Sequence, residues 1–374
     1  MRVLHVNAGN LYGGVESLLV TLARRRALCP AMEPSFAVCY EGRLSQELRE
    51  SGVPVHNLGE VRSSRIWTVT DARRRLRRIL RDNTFDAVVC HMAWSHAIFG
   101  AEVRRAGLPL VYWAHGSATG RHWLERWARR NKPDLAIANS RYTAASLPRL
   151  FDNVPVEVVY CPVSMPRNER QDRAAVRHAL DVANDAVVIL QVSRIEPGKG
   201  HRLHLQALAE LRDEPSWICL MAGGAQRSAE SRLLESLRQQ AEDLGLNERV
   251  RFLGQRSDVL ALMAAADIFC QPNETPDTFG IVFIEALAAR LPVVTAAMGG
   301  ATEIVTDSCG CLIPPGDTRA LAACLRTWIR TPDLRRALGD AGPARAAALC
   351  DPAGRLQQIE HALTALSGGS GVEP

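Results

Sequence analysis

The sequence predicts an α/β protein built from two doubly wound, parallel-sheet domains, and three observations carry that expectation. Short apolar strands rich in β-branched residues alternate with helical stretches along the whole chain. A strand, a glycine loop and a helix open the chain at residue 2, and the same pattern starts again at residue 187. The length, 374 residues, suits two domains of ordinary size better than one.

The first domain is expected over residues 1–163. RVLHVNA at 2–8 reads as a strand, GNLYGG at 9–14 as its loop and VESLLVTLARRRAL at 15–28 as a helix. SFAVCY (35–40), DAVVCH (86–91), PLVYWAH (109–115), DLAIANS (134–140) and VEVVY (156–160) follow as strands. Apolar runs without alternation mark strands buried on both faces. Between them TDARRRLRRILRDN at 70–83 is a helix, with Leu76, Ile79 and Leu80 on one face and arginines around the rest. A polar break, CPVSMPRNERQD at 161–172, ends this half.

The second domain is expected over 164–366, its last helix either here or packed back on the first domain. VVILQVS at 187–193 is its first strand, RIEPGKG at 194–200 its loop and HRLHLQALAEL at 201–211 its helix. WICLMAGG (217–224), RVRFLG (249–254), DIFCQPN (267–273), PVVTAA (292–297) and CLIPPG (311–316) are further strands with their loops. Residues 367–374, SGGSGVEP, read as a flexible tail. In sheets of this kind ligands sit beyond the carboxyl ends of the strands, so the expected site is a cleft faced by both glycine loops.

Composition narrows the partners. The net charge is +5, unevenly placed: residues 1–165 hold 23 Lys plus Arg against 14 Asp plus Glu, a balance of +9, and the remainder 22 against 26, a balance of −4. The first half therefore faces something anionic, such as a membrane surface or a phosphorylated lipid. RHWLERWARRNK at 121–132 sets Trp123, Leu124 and Trp127 beside four arginines, a composition suited to a membrane interface. No nucleic-acid motif accompanies the basic residues. The opening apolar run is too short for a signal peptide, and no run spans a bilayer. Ten cysteines occur without a CxxC pair and read as reduced, small apolar residues. A cytoplasmic protein, peripheral at most to the inner membrane face, is expected.

Two stretches carry chemistry. Of the 45 basic residues only 132 and 199 are lysines, and Lys199 stands in VSRIEPGKG, five residues after Arg194. This loop leaves a strand and enters a helix. A planar guanidinium, a compact ammonium, glycines that admit backbone N–H groups and a helix N-terminus together suit a pyrophosphate. Neither glycine loop is GxGxxG and no GxxxxGK[ST] occurs, which argues against a dinucleotide fold and a P-loop ATPase. The second stretch is PNETPDTFGIVFIEALAARLPVVTAAMGGATEIV at 272–305. Asp277 is placed to cap a helix beginning near Phe279, whose first N–H groups would face a ligand. Glu285, flanked by Ile284 and Ala286, needs a partner, and two ribose hydroxyls would serve.

Taken in order, Arg194 and Lys199, FLG at 252–254, DTFGIVFIEALAARLPVV, GGATEIV and GCLIPPGD resemble the GT4-type glycosyltransferases, retaining enzymes of the GT-B fold that use sugar nucleotides. The resemblance covers essentially the whole second half. In the first half it rests on GGVES at 13–17, HG at 115–116 and ANSRYT at 138–143. It implies that Arg194 and Lys199 hold the donor pyrophosphate, that Glu285 holds the ribose, and that the backbone of Phe279, Gly280, Ile281 and Val282 donates to the phosphates. Gly13 and Gly14 match the loop that closes over those phosphates, and His115 the histidine near the donor sugar. Gly223, Gln255 and Arg256 lie where the family places the base. The first glutamate of the family's E-x7-E motif is Asp277 here, so either Asp277 or Glu274 addresses the sugar.

His115, at a carboxyl strand end before a glycine, is expected to be functional; His91 ends DAVVCH similarly. No DxD or HExxH signature stands out, so the basic pair and the helix N-terminus are expected to stabilise the leaving diphosphate without a metal or other cofactor. The implied reaction is sugar transfer from a UDP-, GDP- or ADP-linked donor to a saccharide or lipid-linked acceptor, in polysaccharide or glycolipid synthesis, with front-face attack and domain closure. A sugar-nucleotide epimerase of the same fold and a non-catalytic sugar-nucleotide binder are the alternatives. A phosphorylase is disfavoured, because Lys132 lies outside any cofactor site.

Overall fold

A computed structural model describes residues 1–9, 13–163, 173–225 and 227–368. The chain divides into two compact units, one formed by Met1–Ser164 and the segment from Cys350 onward, the other by Met165–Leu349.

In the first unit seven strands form one parallel sheet: β1 (Arg2–Asn7), β2 (Glu33–Val38), β3 (Val55–Asn57), β4 (Ala87–His91), β5 (Leu110–Ala114), β6 (Leu135–Ala138) and β7 (Val156–Val158). Their order is β3-β2-β1-β4-β5-β6-β7. β4 and β5 are buried at every position, as strands covered on both faces must be. The order reverses between β1 and β4, which makes their carboxyl ends the switch point of the unit.

The second unit repeats the plan with β8 (Val187–Val192), β9 (Trp217–Ala222), β10 (Val250–Gly254), β11 (Ile268–Gln271), β12 (Val293–Ala296) and β13 (Gly310–Ile313). The order is β10-β9-β8-β11-β12-β13, with the switch point between β8 and β11. Its core joins Ile189, Leu208, Cys219 and Ile268 to Leu321 and Leu325 of helix Thr318–Arg330.

Of the two places expected for the last helix, it takes the first unit, and the second unit ends at 349. Helix Pro352–Gly368 places Leu356, Ile359 and Leu363 on one stripe, all fully buried in the first unit's core with Val3, Leu18 and Leu22. Gln358 donates to the Val158 carbonyl, and the Glu360 carboxylate accepts from the Ala31 N–H at 2.5 Å. The sequence left both cores open to this helix, and the contacts of its stripe decide between them. The polar break lies outside the described residues from 164 to 172, and the expected tail from 369.

All ten cysteines are free thiols, eight of them buried, in keeping with their reading as small apolar residues. The tryptophan and arginine cluster at 121–132 is not one exposed face. Trp123 is exposed, whereas Trp127 packs inward with the Arg73 guanidinium 5.5 Å from its ring centre. The larger exposed apolar pair is Ile66 and Trp67, at the start of helix Ile66–Asp82.

Candidate functional site

The loops after β8 and β11 are tied to each other by backbone and charge. Glu274 and Thr275 N–H groups donate to the Gly198 carbonyl at 2.8 and 3.1 Å. Gly200 has φ 71°, and a Cβ there would lie 1.8 Å from the Pro272 carbonyl oxygen, so only glycine lets the two loops close up. The Lys199 ammonium between these glycines donates to Asp277 Oδ1 at 2.5 Å. Asn273 holds the other carboxylate oxygen at 2.8 Å. An ammonium has three donors, so the ion pair with Asp277 leaves capacity for an incoming anion.

Asp277 is therefore not a helix cap. The N-cap is Gly280, at φ 104°, and the helix runs Ile281–Ala288 rather than from Phe279. Lys199 is the stronger partner for the carboxylate because it offers a full charge. The Ile281 and Val282 N–H groups, in the first turn, have no acceptor within the helix by geometry alone. Phe279 is buried. Glu274 is exposed, and its side chain has no hydrogen bond among the described residues.

Arg194 is half exposed and pairs with Glu196 in its own loop at 2.5 Å. Glu285 is half-buried on the Ile281–Ala288 helix, and its carboxylate has no hydrogen bond or ion pair among the described residues. Burial raises its carboxyl to about 7. A desolvated acid poised near neutrality and short of partners is what a pair of ligand hydroxyls would satisfy.

The residues expected near a base fare differently. Gly223 has a packing role: a Cβ would lie 1.8 Å from the Ser193 carbonyl oxygen, and its N–H donates to the Gly254 carbonyl at 2.8 Å. Gln255 is exposed after β10. Arg256 is exposed and engaged by both oxygens of Asp258 at 2.8 and 2.6 Å, which leaves it little fork to offer.

In the first unit, Gly13 caps helix Gly14–Arg24, and its N–H donates to Glu16 Oε2 at 2.9 Å. Glu16 Oε1 accepts from Asn7 at 3.1 Å, so the glutamate of GGVES ties the helix start to the end of β1. The rest of this loop, residues 10–12, lies outside the described residues. His115 follows β5, with its Nε2 2.9 Å from Nδ1 of His91. His5, on β1, was missed by sequence reasoning: its Nδ1 lies 3.0 Å from Nε2 of His91. Burial lowers His5 and His115 to about 3, and lowers His91 well below its usual value. The signal was a histidine inside an apolar strand, which reads equally as a packed core residue. A pocket of about 510 Å³ opens at this end of the sheet, lined among others by Asn7, Tyr40, Arg62, His91, Trp94 and Glu125.

Two doubly wound units, each with its site-forming loops at the switch point, define the GT-B class. The family model described as glycosyl transferases group 1 matches residues 172–345, and that of glycosyltransferase family 4 matches 12–167. The chain belongs to the group 1, GT4-type glycosyltransferases.

The D-inositol 3-phosphate glycosyltransferase of Saccharomonospora viridis is 31% identical over 278 residues, covering 68% of this chain and 64% of that protein. The chain thus spans just under two-thirds of that relative's length. The GDP-mannose-dependent α-(1-6)-phosphatidylinositol monomannoside mannosyltransferase of Mycolicibacterium smegmatis is 29% identical over 290 residues, covering 72% of this chain and 73% of that protein. Anabaena HepE, solved with UDP and glucose, superimposes with a TM-score of 0.85 at 25% identity, covering 98% of this chain and all of that one. Among the described residues no helix is long and apolar enough to cross a membrane.

Proposed function

We propose that the chain transfers a sugar from a nucleotide-diphosphate donor to a hydroxyl of a saccharide or lipid-linked acceptor, with retention of anomeric configuration and without a metal. The carrying observation is the arrangement at the second switch point, where Lys199, Asp277, the first turn at Ile281 and the unpartnered Glu285 stand on two loops and one helix. In this reading Lys199 and Arg194 take the diphosphate charge and Glu285 accepts from the ribose hydroxyls. Asp277 or Glu274 addresses the sugar. The acceptor hydroxyl attacks the anomeric carbon on the face of the leaving group. The bond to phosphate breaks, and a diphosphate oxygen takes the hydroxyl proton, so positioning and charge do the work without a protein nucleophile.

The named donors of the relatives favour UDP or GDP over ADP. HepE has been solved with UDP-glucose, and the Mycolicibacterium relative is named for GDP-mannose. A lipid-linked acceptor is supported by the exposed Ile66 and Trp67 beside Arg62 and Arg65, and by exposed Trp123.

A thermal-shift screen of UDP, GDP and ADP sugars comes first, followed by anomeric analysis of the product by NMR and turnover in EDTA. No shift with any sugar nucleotide would sink the reading. Free epimerised sugar nucleotide without acceptor would give the epimerase instead, and turnover lost in EDTA and restored by Mg²⁺ would remove the metal-free clause.

A further inference from the structure

Three histidines cross the first unit's sheet in a diagonal. In the strand register His5 stands opposite Val89 and His91 opposite Trp113, so each histidine lies two residues further along than the one before it. Two residues is one strand period, so all three rings leave the same face. They meet there as a stack: ring centres are 5.3 Å apart for His5 and His91, and 5.2 Å for His91 and His115. Phe36 stacks on His5 at 5.4 Å, and Trp113 stacks on both His91 and His115 at 5.2 and 5.6 Å. Met92, directly after His91, is a non-glycine residue at φ 67°, a conformation held only where its surroundings impose it.

We propose that His5 and His91 are positioning residues for His115. His5 donates from Nδ1 to Nε2 of His91, His91 donates from Nδ1 to Nε2 of His115, and His115 is thereby held with its proton on Nδ1. The proposal rests on the transfer reading above only for what His115 then does.

The direction of the column follows from its far end. A neutral imidazole has one N–H and one lone pair, so the two bonds between the rings must run the same way. His5 and His91 are buried and His115 is half-buried, and all three are neutral, with proton affinities lowered by loss of water. Nε2 of His5 is buried without a partner among the described residues. Run one way, the column leaves a bare lone pair there. Run the other way, it leaves an orphaned N–H, the rarer defect in folded proteins. With the proton on Nδ1, His115 is a donor. That nitrogen then offers no base, consistent with the acceptor proton going to the diphosphate.

The test uses the full chain labelled with ¹⁵N-histidine, and His115→Gln to assign the resonances. Long-range ¹H–¹⁵N spectra should show His115 with Nδ1 protonated and Nε2 bare. In His91→Leu and in His5→Phe, which keeps the stack on Phe36, His115 should become a mixture of tautomers. His91→Asn, whose amide nitrogen stands near the lost Nδ1, should restore the single tautomer. With UDP-glucose and GDP-mannose as donors, His91→Leu should lower kcat by about tenfold or more while donor KM stays within about twofold, and His91→Asn should recover most of it. A purely packing role would leave the tautomer of His115 alone. The proposal is overturned by an Nε2-protonated His115 in the parent, or by a tautomer unmoved in both His91→Leu and His5→Phe. If His91→Leu does not fold, His5→Phe decides. If neither donor turns over, the tautomer spectra alone decide the column, and the transfer reading is judged separately by the sugar-nucleotide screen.

Discussion

The switch points of the two units occupy the same place in the same topology and are made of opposite chemistry. After β8 and β11 the second unit gathers Arg194, Lys199, Asp277 and Glu285, two cations and two acids, with a helix N-terminus beside them. On β1 and β4 and just after β5 the first unit gathers three imidazoles, His5 and His91 buried and His115 half-buried, and a cap made by Glu16. A parallel sheet offers both loops the same position and leaves their content free. One is filled with charges that a diphosphate would neutralise, the other with neutral groups that orient by hydrogen bonds. Lys199 remains a lysine because a compact ammonium fits between two closed loops and reaches Asp277, where a guanidinium fork would need more room.

The sharpest way to break that contrast is Lys199→Ala. It removes a charge-assisted contact, so calorimetry should show nucleoside diphosphate affinity lowered by about 1.5–3 kcal/mol. His115→Gln should leave the same affinity within about twofold and lower only transfer. Equal losses in both would mean that the units do not divide the work. Lys199→Arg should also bind more weakly, because a planar fork replaces a point charge.

Glu285 sharpens the contrast by its proton. Its carboxyl is held at about 7 against an ordinary 4.5. Below 7 it is neutral, and above 7 it is the charged acceptor that ribose hydroxyls prefer. Nucleoside diphosphate affinity should therefore rise from pH 6 to pH 8 in the parent, beyond what phosphate ionisation explains, and Glu285→Gln should remove that increment. The raised value also sets a stability sign. The unfolded chain releases this proton near 4.5 and the folded chain keeps it to about 7, so the acid costs stability as pH rises across that window.

The buried histidines have the opposite sign. His5, His91, His96 and His115 in the first unit, and His201 and His204 in the second, all have proton affinities lowered first by burial. An unfolded histidine takes a proton near 6.5 and these do not, so stability is full above that pH and is lost as pH falls below it. Each contributes a slope of up to about 1.4 kcal/mol per pH unit. Hydrogen exchange from pH 7 to pH 5 should show protection in β1, β4 and β5 falling more steeply than in β8 and β11. Equal slopes would mean that the column is hydrated.

The carboxylate of Asp277 competes with a diphosphate for Lys199, so Asp277→Asn should raise nucleoside diphosphate affinity a few-fold while lowering transfer. If affinity instead collapses, Asp277 positions the lysine. The smallest effect belongs to Arg256→Ala. Its guanidinium is exposed and already paired with Asp258, and removing it should change nucleotide affinity by less than about 0.5 kcal/mol.

By itself the sequence determined the two doubly wound units, every strand but β3, and the loops at their carboxyl ends, because buried parallel strands are apolar throughout, whereas the three residues of β3 are only partly buried at the sheet edge. It also singled out Lys199 and Arg194 as candidates for holding an anion, since residue type, spacing and the rarity of lysine all lie in one short segment. Tertiary structure alone decided what touches what across segments. Asp277 looked like a cap in its own stretch, but its partner is 78 residues earlier. Arg256 looked available until Asp258 filled its fork. His5, His91 and His115 stand 86 and 24 residues apart, and no local pattern announces that one face of three strands will stack them. The terminal helix was expected in one of two places, and only its contacts assign it to the first unit's core. Periodicity and residue type are written along the chain, whereas burial, pairing and proton affinity belong to distances that exist only once the sheet has formed.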